Sequence, residues 1–333
     1  MSTRVRAPFV ITLLIGAVAA LVVIWPQAIG AHRLPVMASV VSFRALLSLT
    51  TAVLALALAV FAVTRRRWGV AAALAISLTA MSAGNGLVLA VRGDGPARAV
   101  AGDLKVMAWN TYGGSVSPQT IARVIEETGS EVVSLPETDA FAAAQVVGIL
   151  EHDGVEMQHD TVWAADGGEP IPTTILISTD LGAYARDRLA GSTPGLPSGI
   201  WRPVRGAGPI VVAAHPMPPF PDLIAQWDDG LSWIADRCRD GEVIVAGDLN
   251  ATLDHFAGHG VDGGDLGRCR DAAGAVGAAA AGTWPAGVPA AMGAPIDHIL
   301  AGPAWTVDRF AVLRGEDGAG SDHRPIVATL SRR

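Results

Sequence analysis

Three charge-free apolar runs in the first hundred residues constrain this chain more than any other feature. Phe9 to Trp25, stopped by Pro26, is the first; Ala45 to Val63 is the second; Trp68 to Val91 is the third. Each is close to the ~17 to 25 helical residues that a hydrocarbon core of roughly 30 Å demands. They predict a membrane domain over residues 1–92 with transmembrane helices at 9–25, 45–63 and 68–91. Arg4 and Arg6 ahead of the first run also suit a secretory signal peptide. Two further spans follow, however, and no small-x-small cleavage site precedes Pro26, so an anchor is the reading.

Basic flanks set the orientation. Arg4 and Arg6 precede the first span and Arg65, Arg66 and Arg67 join the second to the third, which assigns both to the cytoplasmic side. An odd number of spans then leaves everything after Val91 outside. Arg92 and Arg98 depart mildly from that bias. Arg44, at the mouth of the second run, is expected to snorkel, and Gly84-Asn85-Gly86 in the third reads as a helix-packing site. Residues 93–102, with Gly93, Gly95 and Pro96, read as a linker.

The remainder, residues 103–333, has a different composition. It holds 30 of the 31 acidic residues and 15 of the 24 basic ones, a formal charge of −15. Such a surface repels polyanions, because nucleic-acid affinity rests on cationic neutralisation of phosphates; extended nucleic acid is the less favoured partner. Cys238 and Cys269 stand 31 positions apart without a CxxC, which argues against a thiolate zinc site. They are either a disulfide, if the domain faces an oxidising compartment, or two buried thiols.

Residues 104–109 alternate like a strand and end on Asn110. Pro118 to Thr128, capped by Ser117, is a predicted helix with Ile121, Val124 and Ile125 on one face. Residues 131–135 form a second predicted strand closing on Pro136-Glu137, and a helix is expected around 139–150. Strands are expected at 173–178, 199–204 and 209–214, the last ending at His215-Pro216, with little helix between them. A helix over 223–239 leads to the continuous apolar run Val243-Ile244-Val245-Ala246, which stops at Gly247 and delivers Asp248 and Asn250. Residues 295–300 and 326–330 complete the set; 274–282 is alanine-rich and uninformative.

Six of these strand ends carry, in order, Trp109-Asn110, Pro136-Glu137, His215-Pro216, Gly247-Asp248-Leu249-Asn250, Ile296-Asp297-His298 and Ser321-Asp322-His323-Arg324-Pro325. This ordered set resembles the endonuclease/exonuclease/phosphatase superfamily, over nearly all of residues 103–333. The resemblance implies an α+β fold, a four-layered α/β/β/α sandwich behind the three transmembrane helices. It also implies Mg²⁺-dependent attack of water on a phosphoester, with Mn²⁺ as a substitute ion.

The residue types suit that chemistry. Phosphoryl transfer needs neutralised equatorial oxygens, a positioned water and an in-line leaving group. Glu137 is the leading metal ligand, since Mg²⁺ takes hard oxygen donors and few carboxylates; the family pattern adds Asn110 and Asp322 as residues that hold or orient the ion. Asp248 would align or deprotonate the water, and Asn250 would hydrogen-bond the phosphoryl oxygens. His323 would contact the phosphate with Asp297 fixing its tautomer and favouring its cation, and His215 would touch a phosphoryl oxygen or assist the leaving group. Trp284 and Trp201 are candidate substrate walls. His298 is expected to point away by strand alternation, and His152, His159, His255 and His259 are read as surface residues. Some family nucleases carry an acid two positions after the Asn; here that position is Tyr112, so a second metal contact from that loop is not expected.

The expectation is an outward-facing, membrane-anchored phosphodiesterase or phosphatase acting on small or lipid-attached phosphoesters, with the bilayer as partner through residues 9–91. The alternatives are an extracytoplasmic nuclease, which needs Arg202, Arg205, Arg268 and Arg270 to converge on the site, and an inactive membrane-tethered binding protein.

Overall fold

Apolar helices and apolar strands sort themselves into two units, Met1–Gly93 and Asp94–Arg333, in a computed structural model of the chain. The structure describes residues 3–66, 68–95, 102–164, 171–206 and 208–333. Arg67, Pro96 and Arg98 of the sequence reading, and the side chains of Arg4 and Arg6, lie outside the described residues.

In the first unit α1 (Thr3–Ile24), α3 (Arg44–Thr64) and α4 (Val70–Arg92) are each long and apolar enough to cross a membrane. A short helix that the sequence reading did not anticipate, α2 (Pro35–Ser42), lies between the first two. Arg44 does not snorkel. It is 3% exposed and donates to Asn85 Oδ1 and to the Ile24 carbonyl at 3.2 Å, so one guanidinium ties α3 to α4 and α1. The reason is burial, which favours an internal acceptor over an unpaired charge. Glycine permits the close helix contacts: a Cβ on Gly84 would stand 2.3 Å from Ile24, and one on Gly16 would stand 2.1 Å from Ser77.

The second unit is built from two mixed sheets. β1 (Leu104–Ala108), β2 (Val132–Pro136), β3 (Met157–Val162), β4 (Thr173–Ser178), β11 (Trp305–Val312) and β12 (Ile326–Arg332) form one, in the order β11-β12-β1-β2-β4-β3. β5 (Tyr184–Arg186), β6 (Gly199–Pro203), β7 (Ile210–Ala214), β8 (Val243–Asp248), β9 (Arg270–Asp271) and β10 (Asp297–Ala301) form the other, in the order β5-β6-β7-β8-β10-β9. The parallel pairs are β1 with β2 and β7 with β8. β2 and β8, central in their sheets, are buried along their whole length, as continuous apolar runs covered on both faces must be.

Val106, Ala108, Ile244, Ala246 and Ile299 meet between the sheets in one core. A second core lies between the first sheet and the helices α5 (Pro118–Thr128) and α6 (Ala140–His152), where Ile121, Val124, Val146 and Leu150 bury against Met107, Val133 and Leu176. α7 (Ile224–Arg237) covers the other side of the molecule, and α8 (Ala272–Ala275) brings Ala272 and Ala273 into the inter-sheet core. Ser117 caps α5 by accepting from Thr120 N at 3.2 Å, and Asp139 caps α6 by accepting from Ala142 N at 2.7 Å. The second cap fixes the chain two residues beyond Glu137.

Cys238, at the end of α7, is bonded to Cys269, which precedes β9. The bridge closes a separation of 31 residues, for which loop entropy gives a stabilisation of about 4 kcal/mol. Replacing both cysteines with serine is therefore expected to lower the melting temperature by several degrees. Two titratable thiols in the unreduced, denatured protein would contradict the bridge.

Candidate active site

Strand register brings the candidate residues to one end of both sheets. In the first sheet Trp109 N donates to Ser134 O and Thr111 N to Pro136 O, which sets Asn110 beside Glu137. In the second, Ala214 pairs with Gly247 and Asp297 with Asp248, so His215, Asp248 and Asp297 emerge side by side. Only glycine fits at 247, since a Cβ there would stand 1.9 Å from the Ala214 carbonyl oxygen. Glu137 and Asn250 adopt positive φ, 63° and 48°, a strained choice for non-glycine residues that recurs where side chains are aimed at a site.

Asn110 bridges the two sheets. Its Nδ2 donates to Glu137 Oε1 at 2.9 Å and to Asp248 Oδ2 at 3.1 Å, while its Oδ1 accepts from Tyr112 N at 3.0 Å. The amide nitrogen thus faces the carboxylates, so Asn110 orients Glu137 and Asp248 rather than offering its own oxygen to a cation. His323 Nδ1 lies 2.9 Å from Asp297 Oδ2, and its Nε2 lies 3.6 Å from Asp248 Oδ2. His215 Nε2 faces the same Asp248 oxygen at 3.8 Å and Glu137 Oε1 at 4.0 Å. Asn250 N donates to Asp248 Oδ1 at 2.9 Å, and Asn250 Nδ2 donates to Pro216 O at 3.0 Å.

Burial and charge set the protonation states. Burial opposes the charge on His323, but Asp297 and Asp248 outweigh it, and the imidazole is pushed up to about 10. Burial also pushes the Asp248 carboxyl up, against the pull of His323. His215 is pushed down by burial, which Asp248 only partly offsets. The result is a cationic His323 and a neutral His215 at neutral pH. His215 Nδ1 is buried without a hydrogen-bond partner, which favours the tautomer with its proton on Nε2, aimed at the carboxylates.

Two oxygen groups suit a divalent cation. Asp322 Oδ1 is a buried acceptor without a hydrogen bond, 4.0 Å from His323 Nε2, while its Oδ2 accepts from Trp284 Nε1 at 2.8 Å. Glu137 keeps a fifth of its side chain open to solvent. Asp248, Asp297 and His323 also offer atoms within 4.8 Å of one another, a spacing that would hold an ion. There, however, both histidine nitrogens face carboxylates and the imidazolium already supplies positive charge, whereas Glu137 and Asp322 offer the hard oxygen donors that a divalent cation takes.

The structure assembles Asn110, Glu137, His215, Asp248, Asn250, Asp297, Asp322 and His323, with Trp284 half-buried beside them, its ring centroid 6.4 Å from that of His323. Trp201 is not part of this group. It is 2% exposed in the inter-sheet core, donates to Asp160 Oδ2 at 3.0 Å, and offers no wall to a substrate. The inward face of a strand claims a large apolar ring before solvent can.

Several supporting residues were not anticipated. Ser321 Oγ donates to Asn110 O at 2.6 Å and accepts from His323 N at 2.9 Å, locking the last motif to the first. Arg324, fully buried, bonds Asp317 and the carbonyls of Gly282, Pro285, Ala286 and Val288. His298 follows Asp297 and is buried, with Nδ1 2.6 Å from Asp271 Oδ2 and Nε2 2.8 Å from the Ala251 carbonyl. It holds the loop that carries Asn250. His255 is not a surface residue either; it is fully buried and accepts from Thr252 N at 2.8 Å.

The sequence profile of the Endonuclease/Exonuclease/phosphatase family matches residues 107–323. No curated protein matches the chain. Among solved structures, D. rerio TDP2 humanized by 14 mutations aligns with a TM-score of 0.51 and 18% identity, covering 68% of this chain and 98% of that one. D. rerio TDP2 complexed with single strand DNA product gives 0.50 at 17% identity, over 68% and 98%. An endonuclease/exonuclease/phosphatase from Bacteroides vulgatus gives 0.50 at 14% identity, over 70% and 100%. At such identities the likeness is one of fold: two mixed sheets with helices on both sides.

Proposed function

The chain belongs to the endonuclease/exonuclease/phosphatase family, and from that membership we propose that it is a membrane-anchored, outward-facing, Mg²⁺-dependent phosphoester hydrolase. The observation that carries this reading is the bridge made by Asn110, which joins a carboxylate of each sheet, Glu137 and Asp248, beside a protonated His323.

Glu137 and Asp322 would hold the cation, which when bound supplies positive charge to the phosphoryl oxygens. Asp248, its carboxyl raised by burial, receives the proton of the attacking water, and Asn110 and the Asn250 backbone N–H keep its two oxygens aimed. His323 stays cationic and turns its Nε2–H toward the phosphate while Asp297 fixes Nδ1. His215 presents a neutral Nε2–H to a second oxygen or to the leaving group. Positioned donors of this kind are each worth about 10² to 10³ in rate. Trp284, through its bond to Asp322, orients a ligand and borders the substrate.

Three candidate spans and the basic flanks support a multi-pass anchor with a cytoplasmic N-terminus, and the Cys238–Cys269 bridge supports an oxidising compartment for the domain. Alkaline phosphatase fused after Gly102 is expected to be active; a fusion active only with a cytoplasmic reporter would overturn the orientation. The nuclease alternative draws no support from its arginines. Arg202 sits toward the far end of β6 and pairs with Asp187, and Arg268 pairs with Asp262. The full set of acids and histidines argues against an inactive binding protein.

The test is turnover by the full chain in non-ionic detergent, with and without Mg²⁺, of phospholipids, inositol phosphates, simple mono- and diesters, DNA and RNA. Absence of metal-dependent turnover on all of them would sink the reading.

A further inference from the structure

The loops at the site-bearing end carry exposed apolar side chains that the chemistry does not use. Phe141 stands in the first turn of α6, just past Glu137, and is 74% exposed; Phe220, five residues past His215, is 57% exposed. Tyr112, two residues past Asn110, and Trp163, which follows β3, are each more than half exposed. Register places Trp163 at this end, because Val162 pairs with Thr173 and Thr173 with Pro136. Four large side chains, three of them wholly or largely apolar, are thus exposed on segments that follow the site-bearing strand ends.

The same loops lack cations. Residues 110–117, 137–141, 215–223, 249–260 and 284–296 contain no Lys or Arg, and Arg324 is fully buried. A single-stranded nucleic acid uses aromatic platforms together with a cationic groove, and here the second half of that pair is missing. Clustered apolar exposure marks an interaction or membrane surface, and rings with a polar edge settle where a bilayer meets water. In sequence, the domain follows on the third candidate span.

We infer that this rim docks on a phospholipid surface, so that the site takes the phosphodiester of a lipid headgroup. The acidic domain, at −15, favours zwitterionic headgroups over anionic ones. The inference rests on the hydrolase reading for its chemistry, but not for its docking surface.

Two measurements separate the two. In the first, the full chain in non-ionic detergent with Mg²⁺ is given phosphatidylethanolamine in mixed micelles and, separately, bis(p-nitrophenyl) phosphate in solution. The double variant F141S/F220S touches no site residue. It is expected to raise the lipid mole fraction needed for half-maximal turnover by about tenfold or more, since two rings lose their apolar burial, and to turn over the soluble ester as the unaltered chain does. Unchanged lipid turnover, equal loss on both substrates, or turnover of the soluble ester without any of the lipid would overturn the inference. The second measurement needs no turnover. The full chain with F141C carrying an environment-sensitive fluorophore is reconstituted in vesicles containing doxyl-labelled lipid. Quenching is expected; its absence overturns the docking even if the enzyme is active, and quenching in a protein that hydrolyses nothing would fault the hydrolase reading alone.

Discussion

Asp248→Asn is expected to lower turnover by about 10³-fold or more, because it removes the group proposed to take a proton from the attacking water. Asp248 Oδ2 is the point on which the site converges: Asn110 donates to it, and His323 and His215 both face it. The amide keeps an oxygen for the Asn250 N–H but turns an NH₂ toward Asn110 and His323, so it neither accepts the proton nor balances the imidazolium. The fold is expected to survive. A buried carboxylate is replaced by a neutral group of the same shape, which relieves desolvation while turning the hydrogen bond from Asn110 into a donor–donor contact of about 1 to 3 kcal/mol and weakening the pairing of His323 and His215. Melting temperature should shift by only a few degrees, and kcat should fall far more than KM changes. Full activity in the variant would remove Asp248 from the mechanism.

Arg324→Ala is expected to cost about 2 to 6 kcal/mol of stability, about 1 to 3 kcal/mol for each of the two buried carbonyls left without their donor. The guanidinium bonds both oxygens of Asp317, at 2.6 and 2.8 Å, and four backbone carbonyls between Gly282 and Val288. Removing it leaves the buried Gly282 and Ala286 carbonyls without that donor. Lysine at this position supplies one compact charge in place of a planar fork and should recover only part of the loss. The segment it holds carries Trp284, which donates to Asp322, so activity should drop with stability. A melting temperature within a degree of the unaltered protein would contradict this account of the residue.

What the sequence disclosed follows burial. Every central strand was legible, since β1, β2, β4, β6, β7, β8, β10 and β12 are runs of apolar residues with a clear end. The four strands that were not legible are β3, β5, β9 and β11, and these are the four sheet edges. An edge strand is half solvated: β3 reads Met-Gln-His-Asp-Thr-Val, and β5 and β9 hold three and two residues, so no apolar pattern marks them. The alanine-rich stretch was silent for a different reason. Alanine carries no periodic signal, yet Ala272, Ala273, Ala278 and Ala279 are buried in the core between the sheets.

The candidate site was legible as a list of residues but not as a set of contacts. Polar residues at strand ends stand out against apolar runs, and six of them in order marked one end of the sheets. That Asn110 turns its nitrogen inward, or that Arg324 reaches four carbonyls of a distant loop, depends on tertiary geometry that spacing along the chain does not encode. Trp201 shows the converse. Its residue type suits a substrate wall, and only its place on the inward face of β6 assigns it to the core.

The central claim is attack at phosphorus by a water that Asp248 activates, with a divalent cation present. Its most direct measurement is single-turnover hydrolysis of a phosphoester by the full chain in ¹⁸O-labelled water with Mg²⁺, followed by mass analysis of both products. The account predicts one labelled oxygen in the phosphoryl product, none in the released alcohol, and loss of the reaction on chelation. Label in the alcohol, or labelled phosphoryl product formed equally well without a divalent cation, would contradict it.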